Sequence, residues 1–88
     1  MEKILVINGG SSSFKYQVIE KGTERRLCQG LVEKIGAADS MLTHKRFNDN
    51  GETEKFSYPG NYVNHAAGMD KVAEVLMNRE LGGVIDDP

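Results

Sequence analysis

The spacing of the apolar residues changes once along this chain, and that change constrains the fold more than any other feature. In several short runs up to residue 58 the apolar residues alternate with polar ones, whereas after residue 63 they recur at every third or fourth position. Alternation is typical of strands with one buried face, and the longer spacing is typical of an amphipathic helix. The sequence therefore predicts several antiparallel strands joined by short turns, followed by one helix.

Five segments carry the strand signal: residues 3–8, residues 14–20, a strand within residues 25–35, residues 41–47 and residues 54–58. The first is a continuous aliphatic run, which predicts a strand buried on both faces. In the second, Phe14, Tyr16 and Val18 alternate with Lys15 and Gln17, so the three apolar side chains should share one packed face.

Glycine and proline mark the interruptions in this pattern. Gly30 lies inside the third strand and predicts either a bulge or a close backbone approach. The pair Asn50 and Gly51 favours a tight hairpin between the fourth and fifth strands. The segment Pro-Gly-Asn at residues 59–61 is predicted to end the sheet.

One helix is predicted from about residue 64 to residues 78–79. Met69, Val72, Ala73 and Leu76 fall at positions i, i+3, i+4 and i+7, which places them on one stripe. Asn64 is a suitable N-cap because its side chain can accept a hydrogen bond from the first turn.

Composition excludes several classes of protein. A chain of 88 residues forms one small domain, and a net charge of −2 without a basic cluster argues against a nucleic-acid partner. The longest aliphatic run, residues 4–7, is too short to cross a bilayer. The single cysteine, Cys28, excludes an internal disulfide and fits a reducing compartment, so we expect a cytoplasmic protein without a membrane partner.

The two histidines do not form a metal site by their spacing. His44 and His65 fall on different predicted elements, without a nearby set of cysteines or carboxylates. We interpret His44 as a strand position and His65 as a residue of the first helical turn.

Residues 8–15 read NGGSSSFK and form an unusually polar connection between two predicted strands. The paired glycines allow successive backbone N–H groups to turn toward one point, the three serines add hydroxyl donors, and Lys15 adds a positive charge. Asn8 carries a neutral carboxamide oxygen that could accept a bond from a water on Mg²⁺. Neither the Walker A pattern nor the dinucleotide-binding pattern is present. Composition and spacing alone leave two interpretations open, an anion-binding loop and a simple turn.

A resemblance to a known family favours the first interpretation. The segments KILVINGGSSSFKYQVIE, GLVEKIG and LTHK resemble the N-terminus of the acetate/propionate kinase family, strongly over residues 3–46 and more loosely through the helix. That family belongs to the actin-like ATPase superfamily. The resemblance implies an α/β fold, part of an actin-like (ribonuclease H-like) lobe, with an antiparallel sheet and one covering helix. It also implies ATP-dependent phosphoryl transfer to acetate, giving acetyl phosphate and ADP, with Mg²⁺.

The family's binding roles carry over residue by residue where this sequence matches. The resemblance implies that Asn8 belongs to the magnesium site, that Lys15 contacts ATP, and that Gly10, Ser11 and Ser13 form the phosphate-binding hairpin.

The family's catalytic aspartate, substrate arginine and phosphoryl-steadying histidines lie farther along a much longer chain. We therefore expect residues 1–88 to be the N-terminal part of the first lobe, without catalytic residues and inactive alone. The family is homodimeric, and the isolated piece is expected to self-associate. Two alternatives stay open: a propionate kinase of the same family, and a non-catalytic actin-like nucleotide-binding or interaction domain.

Overall fold

The computed structural model describes residues 2–48 and 50–85. Its elements, in chain order, are β1 (Lys3–Gly9), β2 (Phe14–Glu20), β3 (Arg25–Glu33), β4 (Ser40–Phe47), β5 (Thr53–Gly60), α1 (His65–Leu76) and a 3₁₀ turn (Arg79–Leu81). The strands form one antiparallel sheet in the order β1-β2-β3-β4-β5. The predicted succession of antiparallel strands and one helix is confirmed.

One face of the sheet is packed and the other is open. The packed face carries the alternating residues of β2, as predicted, because Phe14, Tyr16 and Val18 are all buried. The core that they form with neighbouring strands and α1 further contains Cys28, Val32, Leu42, Tyr62, Val72, Leu76 and Val84. Within the described residues, the core cluster therefore lies between the sheet and the segment from Tyr62 onward.

The helix begins as predicted but contacts the sheet along a slightly different line. The Asn64 side chain accepts a hydrogen bond of 2.8 Å from the backbone N–H of Ala67. Ala73 is exposed and Val75 is buried, so the predicted stripe was partly wrong. The reason is a close approach at Gly68, where a Cβ atom would lie 3.0 Å from the Phe14 ring, and this rotates the contact line.

The helix also ends earlier than predicted, at Leu76. The Asn78 side chain accepts a hydrogen bond of 3.0 Å from the backbone N–H of Glu80 and so caps the 3₁₀ turn. Because Asn78 is in an extended conformation, the backbone leaves the helical path there.

The prediction that the first strand is buried on both faces was wrong. Ile4, Leu5, Val6 and Ile7 are 39–48% exposed. The strand pairs only with β2, which leaves its other side as an edge of the sheet, and no β1 residue belongs to the core. An aliphatic run indicates that a strand is suited to burial, but burial also requires other elements that cover the strand.

Two smaller differences concern proline and glycine. Strand β5 continues through Pro59 to Gly60 instead of ending before them. Pro59 is tolerated because β5 is the other edge strand of this sheet, where a missing N–H need not cost a ladder bond. Gly30 is a site of close approach, since a Cβ atom there would lie 2.1 Å from Cζ of Tyr16. The irregularity in register lies elsewhere, between Val18 and Ile19.

No helix in the described part of the chain is long and apolar enough to cross a membrane.

Candidate functional site

The polar loop is the tip of the β1–β2 hairpin. Gly9 and Phe14 form the last residue pair of the ladder, and the N–H of Gly10 donates a hydrogen bond of 2.7 Å to the carbonyl of Ser13. Ser11 and Ser12 are exposed and Ser13 is half-buried. The tip is thus a closed turn that presents Ser11 and Ser12 to solvent.

Three carbonyl groups of this tip accept hydrogen bonds from donors of the protein. The Gly10 carbonyl accepts a hydrogen bond of 2.9 Å from Nε2 of His65, at the start of α1. The Ser12 carbonyl accepts a bond of 2.9 Å from the N–H of Ile35, and the Ser13 carbonyl is the partner of Gly10 already described. Three oxygen atoms that would repel an anion are therefore occupied.

The N–H groups of the same peptide units point the other way. A trans peptide is planar, so its C=O and N–H point in opposite directions, and the described residues contain no cis peptide bonds. The N–H of Ser11 therefore points away from His65, and the N–H of Ser13 points away from Ile35. Within residues 2–48 and 50–85, the N–H groups of Ser11, Ser12 and Ser13 donate to no backbone carbonyl. This arrangement is chemically suited to an anion.

A pair of polar side chains follows directly below the tip. Asn8 on β1 and Lys15 on β2 are cross-strand partners on the open face of the sheet. The same face carries Val6, Gln17, Gln29, Leu31, Glu33, Thr43 and Lys45, which line a shallow groove. Among the described residues, Lys15 has no hydrogen-bond or ion-pair partner. Its ammonium group is available to a ligand bound at the hairpin.

The structure brings the sequence-predicted residues into one hairpin. Gly10, Ser11 and Ser13 lie at its tip, and Asn8 and Lys15 form the residue pair of the ladder next to the last one. Sequence reasoning did not find the two groups that orient the tip, His65 and Ile35. They lie on other elements, and no local pattern connects them to the loop.

His44 is a strand residue, as interpreted from the sequence, and it is fully buried. The Tyr16 hydroxyl donates a hydrogen bond of 2.6 Å to Nδ1 of His44, while Nε2 of His44 donates one of 2.7 Å to the carbonyl of Gly82. This assignment follows because a carbonyl only accepts, so the neutral ring carries its proton on Nε2. Burial lowers the pKa of His44 and raises the pKa of Tyr16. The pair connects the sheet to the end of the described chain.

A metal bound directly by protein side chains does not fit this hairpin. The described residues contain no group of three or more His, Cys, Asp or Glu side chains that could hold an ion. Asn8 offers one neutral oxygen next to the positive charge of Lys15. These residues fit Mg²⁺ only as an ion that arrives with phosphate groups and keeps its own waters.

Comparison with known proteins identifies the family. The model of the acetokinase family matches residues 3–85 of this chain. The chain belongs to the acetokinase family. The resemblance seen in the sequence is thereby confirmed, and the family explains why a glycine- and serine-rich hairpin, GLVEKIG and LTHK occur together.

Two relatives illustrate the similarity. This acetokinase-family chain is 45% identical over 83 residues to acetate kinase of Nitratidesulfovibrio vulgaris (strain DSM 19637 / Miyazaki F), covering 94% of this chain and 20% of the relative. It is 43% identical over 84 residues to acetate kinase of Desulfovibrio desulfuricans, covering 96% of this chain and 21% of the relative. The chain thus spans about a fifth of the length of the curated relatives that it matches.

A solved structure agrees with the fold. The crystal structure of Porphyromonas gingivalis acetate kinase superposes with a TM-score of 0.83 at 33% identity, covering 99% of this chain and 21% of that chain. The predicted fold class, an antiparallel sheet with one covering helix from an actin-like lobe, is confirmed.

Proposed function

We propose that this chain is the phosphate-holding part of an acetate kinase, the N-terminal part of the first lobe. The reaction would be reversible phosphoryl transfer between ATP and acetate, giving ADP and acetyl phosphate. The observation that carries the proposal is the orientation of the hairpin tip, in which the carbonyls of Gly10, Ser12 and Ser13 are occupied by protein donors. Family membership supports the choice of reaction.

In this proposal each residue of the hairpin has a separate task. The N–H groups of the tip and the hydroxyls of Ser11 and Ser13 donate to phosphate oxygens. Lys15 stays unpaired within the described residues, so its ammonium group can approach the phosphoryl group that is transferred. Anion binding here depends on fixed backbone dipoles and one mobile charge.

In this proposal the hairpin contacts Mg²⁺ through a water molecule that is bound to the ion. When bound to the phosphates, the ion would neutralise negative charge and orient the chain of phosphate groups. Asn8 would accept a hydrogen bond from a water of the ion with its carboxamide oxygen, because it stands beside Lys15 at the base of the tip.

The hairpin alone is not sufficient for the reaction. Phosphoryl transfer requires groups from several elements around the reacting atoms. We therefore expect the 88 residues by themselves to show no acetate kinase activity.

The activity test uses a chimera in which residues 3–85 replace the matching segment of Porphyromonas gingivalis acetate kinase. Charge-assisted contacts in a desolvated site contribute about 2–4 kcal/mol, so Lys15→Ala should lower kcat roughly 30- to 1,000-fold. Ser12→Ala is the matched control, because the exposed Ser12 hydroxyl lies on the same tip but has no role in the proposed phosphate contacts, and it should cost much less. The measurements are kcat and the KM for ATP.

Folding is checked separately, by requiring equal melting temperatures for the variants. Unchanged kinetics in Lys15→Ala would mean that the hairpin is only a turn. Equal losses in Lys15→Ala and Ser12→Ala would indicate general damage and would also count against the proposal.

A further inference from the structure

His65 joins the helix to the hairpin tip across 55 residues of sequence. Its Nε2 atom donates a hydrogen bond of 2.9 Å to the Gly10 carbonyl, and its ring stacks on that of Phe14 with a centroid separation of 6.0 Å. Among the described residues, this is the one hydrogen bond from a side chain of another element to the tip. The ring is therefore held in its plane by Phe14 and directed at one carbonyl.

That contact controls a peptide that is otherwise free to turn. Gly10 has no Cβ, so its ψ angle, which orients the Gly10–Ser11 peptide, is less restricted than that of other residues. Rotation of the Gly10–Ser11 peptide would exchange the positions of the Gly10 carbonyl and the Ser11 N–H. The hydrogen bond from His65 selects the orientation in which the N–H points away from the helix.

His65 is not needed for the helix itself. The side chain of Asn64 supplies the cap of α1 through Ala67, and His65 is exposed, so its loss leaves neither an uncapped helix nor a cavity. The contact with Gly10 is therefore separable from the stability of α1.

We infer that His65 is a positioning residue, which holds the Gly10–Ser11 peptide so that the Ser11 N–H is presented to a phosphate group. The inference rests on the proposed function, since it concerns the same phosphate-holding tip. It adds the residue that sets the direction of one donor, and it places that residue on a different element from the hairpin.

The test is a matched pair of amides at position 65. His65→Gln keeps an N–H₂ donor at the position of the histidine Nε2, whereas His65→Asn places the amide at the position of Nδ1, too short to reach Gly10. The isolated ¹⁵N-labelled 88-residue chain is titrated with inorganic tripolyphosphate, and the backbone amide signals are followed by NMR. Melting temperatures of all variants are recorded alongside.

We expect His65→Asn to weaken tripolyphosphate binding about 3- to 10-fold, the effect of one misdirected donor, with the loss concentrated in the response of the Ser11 amide. His65→Gln should bind within about twofold of wild type, because it restores the donor. In the ligand-free protein, the residual dipolar coupling of the Ser11 N–H should change in the asparagine variant and not in the glutamine variant.

The outcomes separate this inference from the proposed function. If wild-type protein binds and Lys15→Ala weakens binding, but His65→Asn binds like wild type, the inference on His65 fails and the phosphate hairpin stands. If tripolyphosphate does not perturb the tip of the wild-type chain, both fail. Equal loss in the asparagine and glutamine variants would assign His65 a merely structural role and overturn the inference.

Discussion

Replacing Gly30 by alanine tests how Tyr16 reaches His44. The three residues lie in one row across the packed face, with Tyr16 on β2, Gly30 on β3 and His44 on β4. The Tyr16 ring passes over Gly30, and its hydroxyl forms a hydrogen bond with the His44 ring on the next strand. A Cβ atom on residue 30 would lie 2.1 Å from Cζ and 2.2 Å from the hydroxyl of Tyr16. Carbon atoms in contact are normally about 3.5–4.0 Å apart, so the ring must move by on the order of 1.5 Å.

The expected loss follows from two consequences of that movement. The hydrogen bond of 2.6 Å between Tyr16 and His44 cannot survive it, and an unsatisfied buried Nδ1 costs about 1–3 kcal/mol. Overpacking lowers the free energy of unfolding by about 1–3 kcal/mol more. Replacing a glycine in a strand by alanine raises it by about 0.5–1 kcal/mol, because alanine loses less conformational freedom on folding. The net loss in the free energy of unfolding is about 1–5 kcal/mol, against about 4–13 kcal/mol expected for a domain of 88 residues.

The assay is urea denaturation followed by circular dichroism. Gly9→Ala is the matched control, because its Cβ atom would lie 3.8 Å from Phe14, an ordinary contact. Tyr16→Leu removes the colliding atoms, so Gly30→Ala should cost less than about 1 kcal/mol in that background. A wild-type-like Gly30→Ala protein, or the same cost in both backgrounds, would refute the reasoning.

Two further predictions concern acidity and association. Burial lowers the pKa of His44 from its ordinary value of 6.5, so the unfolded chain binds a proton more readily than the folded one. Stability should therefore be complete well above pH 6.5 and fall as the pH decreases through 6.5 toward the lower pKa of His44 in the folded state. His44→Gln does not titrate, so it should lose most of this change in urea midpoint. The exposed aliphatic edge of β1 should make the isolated chain self-associate, which analytical ultracentrifugation would detect as a mass that rises with concentration. Val6→Lys should suppress this association and Val63→Lys should not; a monomeric wild-type chain would contradict the prediction.

The parts of the fold that depend on local pattern could be predicted from the sequence. The alternation in β2 correctly placed Phe14, Tyr16 and Val18 inside, and the cap at Asn64 correctly placed the start of the helix. The burial of β1 could not be predicted, because burial depends on which elements cover a strand. The contact line of α1 was likewise shifted by Gly68, whose approach to Phe14 appears only when sheet and helix are packed together.

The candidate site also has one part that could be predicted from the sequence and one part that could not. The loop of residues 8–15 was recognisable because its glycines, serines and lysine are contiguous. The orientation of its peptides depends on His65 and Ile35, which reach it from distant parts of the chain. Only tertiary structure brings such donors to a given carbonyl, so no local pattern in the sequence can identify them.

The strand order has a consequence for how the chain acquires its structure during synthesis. Every ladder joins a strand to the one made immediately before it, so each strand that leaves the ribosome meets a partner that is already present. Contacts between neighbours in sequence form quickly because little chain entropy is lost in closing them. The bonds from His44 to Gly82 and from Tyr58 to Leu81 close late, since both need residues beyond α1. The packed face of the nascent sheet therefore stays uncovered until α1 has been made, and during that interval a chaperone could bind its apolar residues.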